Sequence, residues 1–340
     1  MRQTLGFGWF VGVADETLPF LAGIDLDEYY LNPDSCVRAI RLGRARIGDL
    51  FSDDVRPPGV SCPPLSYGHI ACLGAKVLFP HNSEPSVRPV FDSIQDAIDA
   101  LSRKRKFEEN DLFKHYDGMY RRLREEFPEE NVKFMGFGHE GPITSAVLLR
   151  GKDFCVDLYR HPDDVKRFLE LVTDSIVDFV RFTRRINSEP EDTSQSFGLA
   201  DDFSSLIHPE MWGEFVVPYW DRYYSQLTSG ARTLHCENLD PRHLKYLEQV
   251  GISYYDPSIS PRLRPSIIKD RTTIPFTWRL ASFELLRMSV DEVRDWVRSS
   301  AEEGATHVHF YVEWTTCTGD NPSKVSAFIS AAKERASTVA

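Results

Sequence analysis

From about residue 130 onward, two patterns of apolar and polar residues take turns along the chain. Short runs rich in β-branched and aromatic residues read as strands, and longer stretches with apolar residues every three or four positions read as helices. Residues 163–186 place Val165, Phe168, Leu169, Val172, Ile176, Phe179 and Val180 on one stripe, and His161-Pro162-Asp163 supplies a start signal, so a helix is predicted there. Strands are predicted at 132–137, 196–200, 232–235, 252–255, 274–278 and 307–312, with a further one at 5–13. Helices are expected to open at His208-Pro209-Glu210 and near Pro241.

Repeated strand-helix units call for parallel strands joined by crossovers. Their number favours an α/β fold closed as a (β/α)8 barrel, with residues 1–340 as one domain. Residues 14–130 are less regular and proline-rich at Pro57-Pro58 and Pro63-Pro64, and they read as helical insertions in the first barrel units. Helices are predicted within them at 93–103 and 107–127.

The formal charge is -11, from 40 Lys and Arg against 51 Asp and Glu, and it argues against a nucleic-acid surface. The one basic run, Arg103-Lys104-Arg105-Lys106, is followed by Glu108 and Glu109 and reads as a solvated helix face. No apolar run approaches the roughly 20 residues that span a bilayer, and the N-terminus lacks the features of a signal peptide, so a cytoplasmic protein without membrane partners is expected. The cysteines at 36, 62, 72, 155, 236 and 317 show no paired short spacing, which predicts free thiols.

In a barrel the chemistry sits at the C-terminal ends of the strands. The polar and aromatic residues there are His139 and Glu140, Asp201 and Asp202, His235 and Glu237, Tyr255 and Asp256, Trp278 and Arg279, and Trp314 and Cys317. In a strand the residues i and i+2 share a face, so His235 and Glu237 point together and Cys236 points away. With Cys317 they make three protein ligands, the usual count for a catalytic zinc with one open position. A register slip of one residue would exchange Glu237 for Cys236. The alternative is a pair of buried thiols and a hydrogen-bonded core histidine. Asp201 and Asp202 precede a helical segment, and one of them is equally suited to capping it. Gly136-Phe-Gly138-His-Glu-Gly141 has dinucleotide-binding spacing, but it reads better as a tight turn with close backbone approach.

Three blocks carry a family resemblance: HisGluGlyProIleThrSerAlaValLeuLeuArgGly (139–151) with AspLeuTyrArgHisPro (157–162); AlaAspAspPhe (200–203) with IleHisProGluMetTrpGlyGluPheValValPro (207–218); and LeuHisCysGluAsn (234–238) leading into Tyr255-Asp256. In that order they resemble the uroporphyrinogen decarboxylase superfamily, well over 130–335 and loosely before it. The resemblance implies a distorted TIM barrel with its site at the C-terminal mouth. The arginine-rich N-terminal motif of the porphyrinogen decarboxylases is absent, since residues 6–12 read GlyPheGlyTrpPheValGly. The zinc-dependent methyltransferase branch, which works with a corrinoid protein, carries His-x-Cys and a late Cys. His235 and Cys317 match the outer two positions, and Glu237 stands where the middle cysteine is expected.

A hard carboxylate in place of a thiolate makes zinc a better Lewis acid. The resemblance therefore implies methyl transfer from an O-methyl donor, such as a methoxylated aromatic, to a corrinoid (cobalamin) on a partner protein. The expected ligands for Zn2+ are His235, Glu237 and Cys317, with Asp202 or Glu140 as proton relay. Asp256 would accept the other N–H of His235, and Trp9, Phe10, His139, Tyr255, Asp256, Trp278 and Trp314 would line the substrate pocket. Two other readings stay open: a metal-free decarboxylase in which Asp202 stabilises a protonated intermediate, and a non-catalytic ligand binder. Expected partners are a small-molecule substrate, the corrinoid protein and, as one option, a second copy of the chain.

Overall fold

The computed structural model describes residues 6–103 and 106–339, so Leu5 of the first predicted strand and Lys104 and Arg105 of the basic run lie outside the described residues. Its strands are β1 (Gly8–Val13), β2 (Lys76–Leu78), β3 (Ser86–Arg88), β4 (Phe197–Ala200), β5 (Arg232–His235), β6 (Ile252–Asp256), β7 (Thr277–Leu280) and β8 (His307–Val312). The chain divides into two compact units. The first comprises residues 1–59, 237–244 and 254–340, and the second residues 60–236 and 245–253.

In the first unit β8 lies between β1 and β7 and pairs with both in parallel, from Gly8 opposite His307 to Val13 opposite Val312 and from Thr277 opposite His307 to Leu280 opposite Phe310. Val308, Phe310 and Val312 of β8 are buried, and so is His309, whose Nδ1 lies 2.8 Å from Thr277 Oγ1. Burial on both faces is what a parallel sheet covered by helices requires. The helix Val290–Glu303 between β7 and β8 opens on a reciprocal capping box, in which Ser289 accepts from the Glu292 amide and Glu292 accepts from the Ser289 amide. Its Val293 and Val297 are buried, one turn apart.

In the second unit β4 and β5 are parallel, with Ala200 opposite His235. The helix Pro162–Ile186 buries all seven residues of its predicted apolar stripe. A fully buried helix stripe of this kind contributes roughly 1.5–3 kcal/mol per large side chain. The hairpin of β2 and β3, antiparallel, falls in the irregular region before 130.

Two strand expectations are corrected. Residues 132–137 form no strand: Gly136 has φ +95° and breaks the extended run, the Phe134 amide and carbonyl bond instead to the Asn187 side chain at 2.7 and 3.1 Å, and one isolated bridge joins Phe137 to Leu65. The strand expected at 274–278 begins at Thr277: Pro275 has no N–H for a ladder, and the pairing before Thr277 is one isolated parallel bridge of Phe276 with Tyr255, whose amide donates to the Pro275 carbonyl at 3.0 Å. The α/β character and the parallel pairing are as expected. Among the described residues the strands group as β1-β8-β7, β4-β5-β6 and β2-β3, and one closed ring of eight is not among these groupings. No helix among the described residues is long and apolar enough to cross a membrane.

Candidate active site

The register of β4 against β5 sets the local geometry. With Ala200 opposite His235, the two residues after β4, Asp201 and Asp202, leave the sheet beside the end of β5. The Asp201 amide continues the ladder by donating to the His235 carbonyl at 3.2 Å. The chain then turns in a short 3-10 helix, Asp202–Leu206, and the adjacent carboxylates part.

Asp201 points inward and is fully buried. Its carboxylate accepts from the amides of Thr144 at 2.6 Å and Ile143 at 3.2 Å and from Trp220 Nε1 at 2.6 Å. Ile143 and Thr144 open the helix Pro142–Arg150, so Asp201 caps that helix from across the fold. Burial pushes its carboxyl up to about 6, and these donors together with the Thr144 hydroxyl hold it below a still higher value. Gly141 makes this approach possible: a Cβ there would lie 2.4 Å from Asp201 Cβ. Gly136 is similarly pressed against the Cys62 carbonyl, where a Cβ would come within 2.4 Å. Gly136 and Gly141 thus admit the protein's own chain, whereas a Cβ at Gly138 would make only ordinary contact.

Asp202 turns the other way and brings Oδ1 to 3.7 Å from His235 Nε2. Glu140, just before the capped helix, completes the group. Its carboxyl is pushed up to about 7, first by burial and then by the Asp202 and Asp201 carboxylates; the Ser66 hydroxyl and His235 oppose the shift. His139 is driven down to about 4 by burial, and its ring meets Tyr223 edge-on at 5.9 Å. Cys236 is fully buried, with Sγ 3.2 Å from Ser204 Oγ and 3.4 Å from the Asp201 carbonyl. Cys236 is buried and His235 and Glu237 are half-buried, although β5 itself ends at His235.

The other predicted site residues belong to the first unit. Phe10 is exposed and meets Tyr311 edge-on at 5.8 Å, Trp9 lies under the Lys333 ammonium at 5.9 Å, and Trp314 is exposed with its ring 5.3 Å from Phe20. Tyr255 is fully buried, Trp278 is half-buried, and Asp256 accepts from the Ser258 amide at 2.8 Å. Burial pushes the Cys317 thiol up to about 11. Of the expected zinc ligands, His235 lies in the second unit and Glu237 and Cys317 in the first. Among the described residues no group of three or more His, Cys, Asp or Glu side chains is gathered to hold a metal ion.

Three contributors escaped the predicted site set. Ser66 bonds to Glu140, and Glu140 is among the charges that raise the Tyr67 phenol after burial. Both lie in a proline-bounded loop with no periodic signal. Arg279, noted at a strand end but given no role, lies 5.0 Å over the Tyr311 ring, with NH1 3.3 Å from Ser258 Oγ and NH2 4.0 Å from Glu313. A lone arginine inside an apolar strand was the signal for it.

An α/β chain with parallel strands and a carboxylate group at its strand ends defines the class. The sequence profile of uroporphyrinogen decarboxylase (URO-D) matches residues 66–335, most of the chain, and the protein belongs to that enzyme family. Among solved structures it is similar to a methyltransferase from Methanosarcina mazei, with a TM-score of 0.66 at 17% identity, over 97% of this chain and 94% of that one. That likeness is one of fold. No protein with a curated function matches the sequence.

Proposed function

We propose that the protein transfers a methyl group from an oxygen-linked donor, such as a methoxylated aromatic, to a corrinoid presented by a partner protein. The observation that carries this reading is Glu140, a carboxyl that is half protonated near neutral pH and sits in one group with Asp202 and His235. When the methyl carbon leaves its oxygen, that oxygen departs as an anion and needs a proton. Glu140 is suited to supply it, because a general acid works best with a pKa near the operating pH. The C–O bond breaks, the oxygen takes the Glu140 proton, and the donor leaves as a phenol or alcohol. Burial and two neighbouring carboxylates favour reprotonation of Glu140 before the next turnover.

The corrinoid, when presented, supplies the methyl acceptor. Zinc on His235, Glu237 and Cys317 is proposed from the sequence resemblance alone. The described residues do not gather such a site, and no step here runs through it. Metal analysis of wild type and Cys317→Ser decides it: about one zinc per chain, lost in the variant, supports the site.

The family match favours one rival. A neutral carboxylic acid also suits protonation of the carbon left after loss of CO2, as in a decarboxylase. The two are separated by incubating the protein with cob(I)alamin and methoxybenzoate. Methylcobalamin with hydroxybenzoate supports methyl transfer. Released CO2 with anisole supports the lyase, and neither product sinks both for this substrate class.

A further inference from the structure

The second unit contains a cavity that shares no residue with the Glu140 group. It is open to solvent on one side and has a volume of about 590 Å³, within the range that small-molecule sites occupy. One wall is a stripe of the helix Pro162–Ile186 carrying Leu171, Ser175 and Phe182; the facing wall includes Leu73, Leu101 and Phe107. The Phe107 and Phe182 rings lie 5.5 Å apart.

Behind the wall, fully buried His69 places Nε2 2.9 Å from Ser175 Oγ, and its buried Nδ1 has no hydrogen-bond partner among the described residues. An unpaired ring N–H costs more in such surroundings than an unpaired lone pair that no donor faces. The neutral ring therefore carries its proton on Nε2 and donates it to Ser175. Thr173, two residues earlier on the same helix, bonds the carbonyl one turn back. Among the described residues Ser175 makes no such bond, so its hydroxyl proton is left to point at whatever enters the cavity.

Charge does not select an ion. Among the described residues Arg103, Lys106 and Arg185 on the rim are matched by Glu108, Asp174 and Asp178, and Lys106, Arg185 and Asp174 are already held by Glu109, Glu191 and the Arg222 fork. We propose that this cavity binds a small uncharged molecule with an aromatic or other apolar body and one carbonyl-type oxygen, which accepts the hydrogen bond of Ser175.

The test is titration of acetophenone onto the full chain by saturation-transfer NMR, with benzoate and benzylammonium as charged comparators. Saturable binding of acetophenone is expected, tighter than either ion. Ser175→Ala is expected to weaken it roughly fivefold, the loss of one neutral hydrogen bond. Ser175→Thr keeps the hydroxyl and restores affinity, and Leu171→Trp fills the cavity and abolishes binding. Thermal melting confirms that each variant is folded. Acetophenone that fails to saturate, or binds all variants alike, or binds more weakly than an ion, overturns the proposal.

Discussion

Each unit gathers polar side chains at strand ends, and the two gatherings have opposite electrostatics. After β4 and β5 the Asp202 and Glu140 carboxyls meet one imidazole while Asp201 turns inward, and burial with the charges of Asp202 and Asp201 drives Glu140 up to about 7. After β7 and β8 a guanidinium lies over the Tyr311 ring and faces Glu313; it restrains a phenol that burial and Asp256 raise. Like charges crowded together cannot all ionise, so the first arrangement stores a proton. A guanidinium does not give up its proton, so the second holds and orients charge. On the proposed function, proton movement belongs to the second unit, and the first holds fixed positive charge.

The largest effect that would break this comparison is on rate. Glu140→Gln keeps the shape and removes the acid, and turnover is expected to fall by about 100-fold or more. The wild-type rate should decline as pH rises through about 7, where the acid form is lost, and the variant should show no such limb. A variant with near-normal turnover would remove Glu140 from the chemistry.

Next in size is the cap. Asp201→Ala leaves the amides of Ile143 and Thr144 and the indole of Trp220 buried without an acceptor, and a loss of about 3 kcal/mol in unfolding free energy is expected by urea denaturation. A loss below about 1 kcal/mol would show that the helix finds another cap.

The stored proton also has a sign in stability. Glu140 is raised from 4.5 to about 7 on folding, so its contribution is complete below 4.5 and is lost as pH rises through 7. Between about pH 5 and pH 8 the wild type should lose on the order of 2 kcal/mol that Glu140→Gln retains, allowing for partial exposure. Equal losses in the two proteins would place the stored proton elsewhere. In the other unit, Arg279→Met should push the Tyr311 phenol further up, a change read by ultraviolet titration, because Arg279 is the charge that lowers it. No change there would mean that Arg279 does not set the field around Tyr311.

How much of this was legible in the sequence depended on how local each signal was. The stripe from Val165 to Val180 declared its helix because seven apolar residues repeat at helical spacing, and all seven are buried. Strand alternation was expected to carry on through Glu237, but β5 ends at His235, and only the burial classes of 235–237 follow the alternation. The run 132–137 had strand composition, and it failed because Asn187, some fifty residues on, takes its backbone bonds. Asp201 and Asp202 looked equivalent side by side. Only the register of β4 on β5 and the room left by Gly141 divide them into a helix cap and a partner for His235. A cap was expected from one of the pair on the segment that follows, but Asp201 makes no side-chain cap bond there and serves the helix at Pro142, about sixty residues back in the chain.

Ser66 gives the finest test of the same contrast, because it acts on the charge of Glu140 without adding or removing one. Its hydroxyl bonds to the Glu140 carboxyl and favours the ionised form, so it opposes the burial that raises the group. Ser66→Ala removes that opposition and should move Glu140 higher, shifting the alkaline limb of the pH-rate profile to higher pH. One hydrogen bond is worth about 0.5–1.5 kcal/mol net, which corresponds to a shift of up to about one pH unit. The sign separates two causes of any activity change. A general disturbance of the loop lowers the rate at every pH, whereas a released Glu140 keeps its plateau and extends it upward. A limb that moves downward would mean that Ser66 bonds the protonated carboxyl, and Glu140 would then owe its proton to that bond as well as to the charges around it.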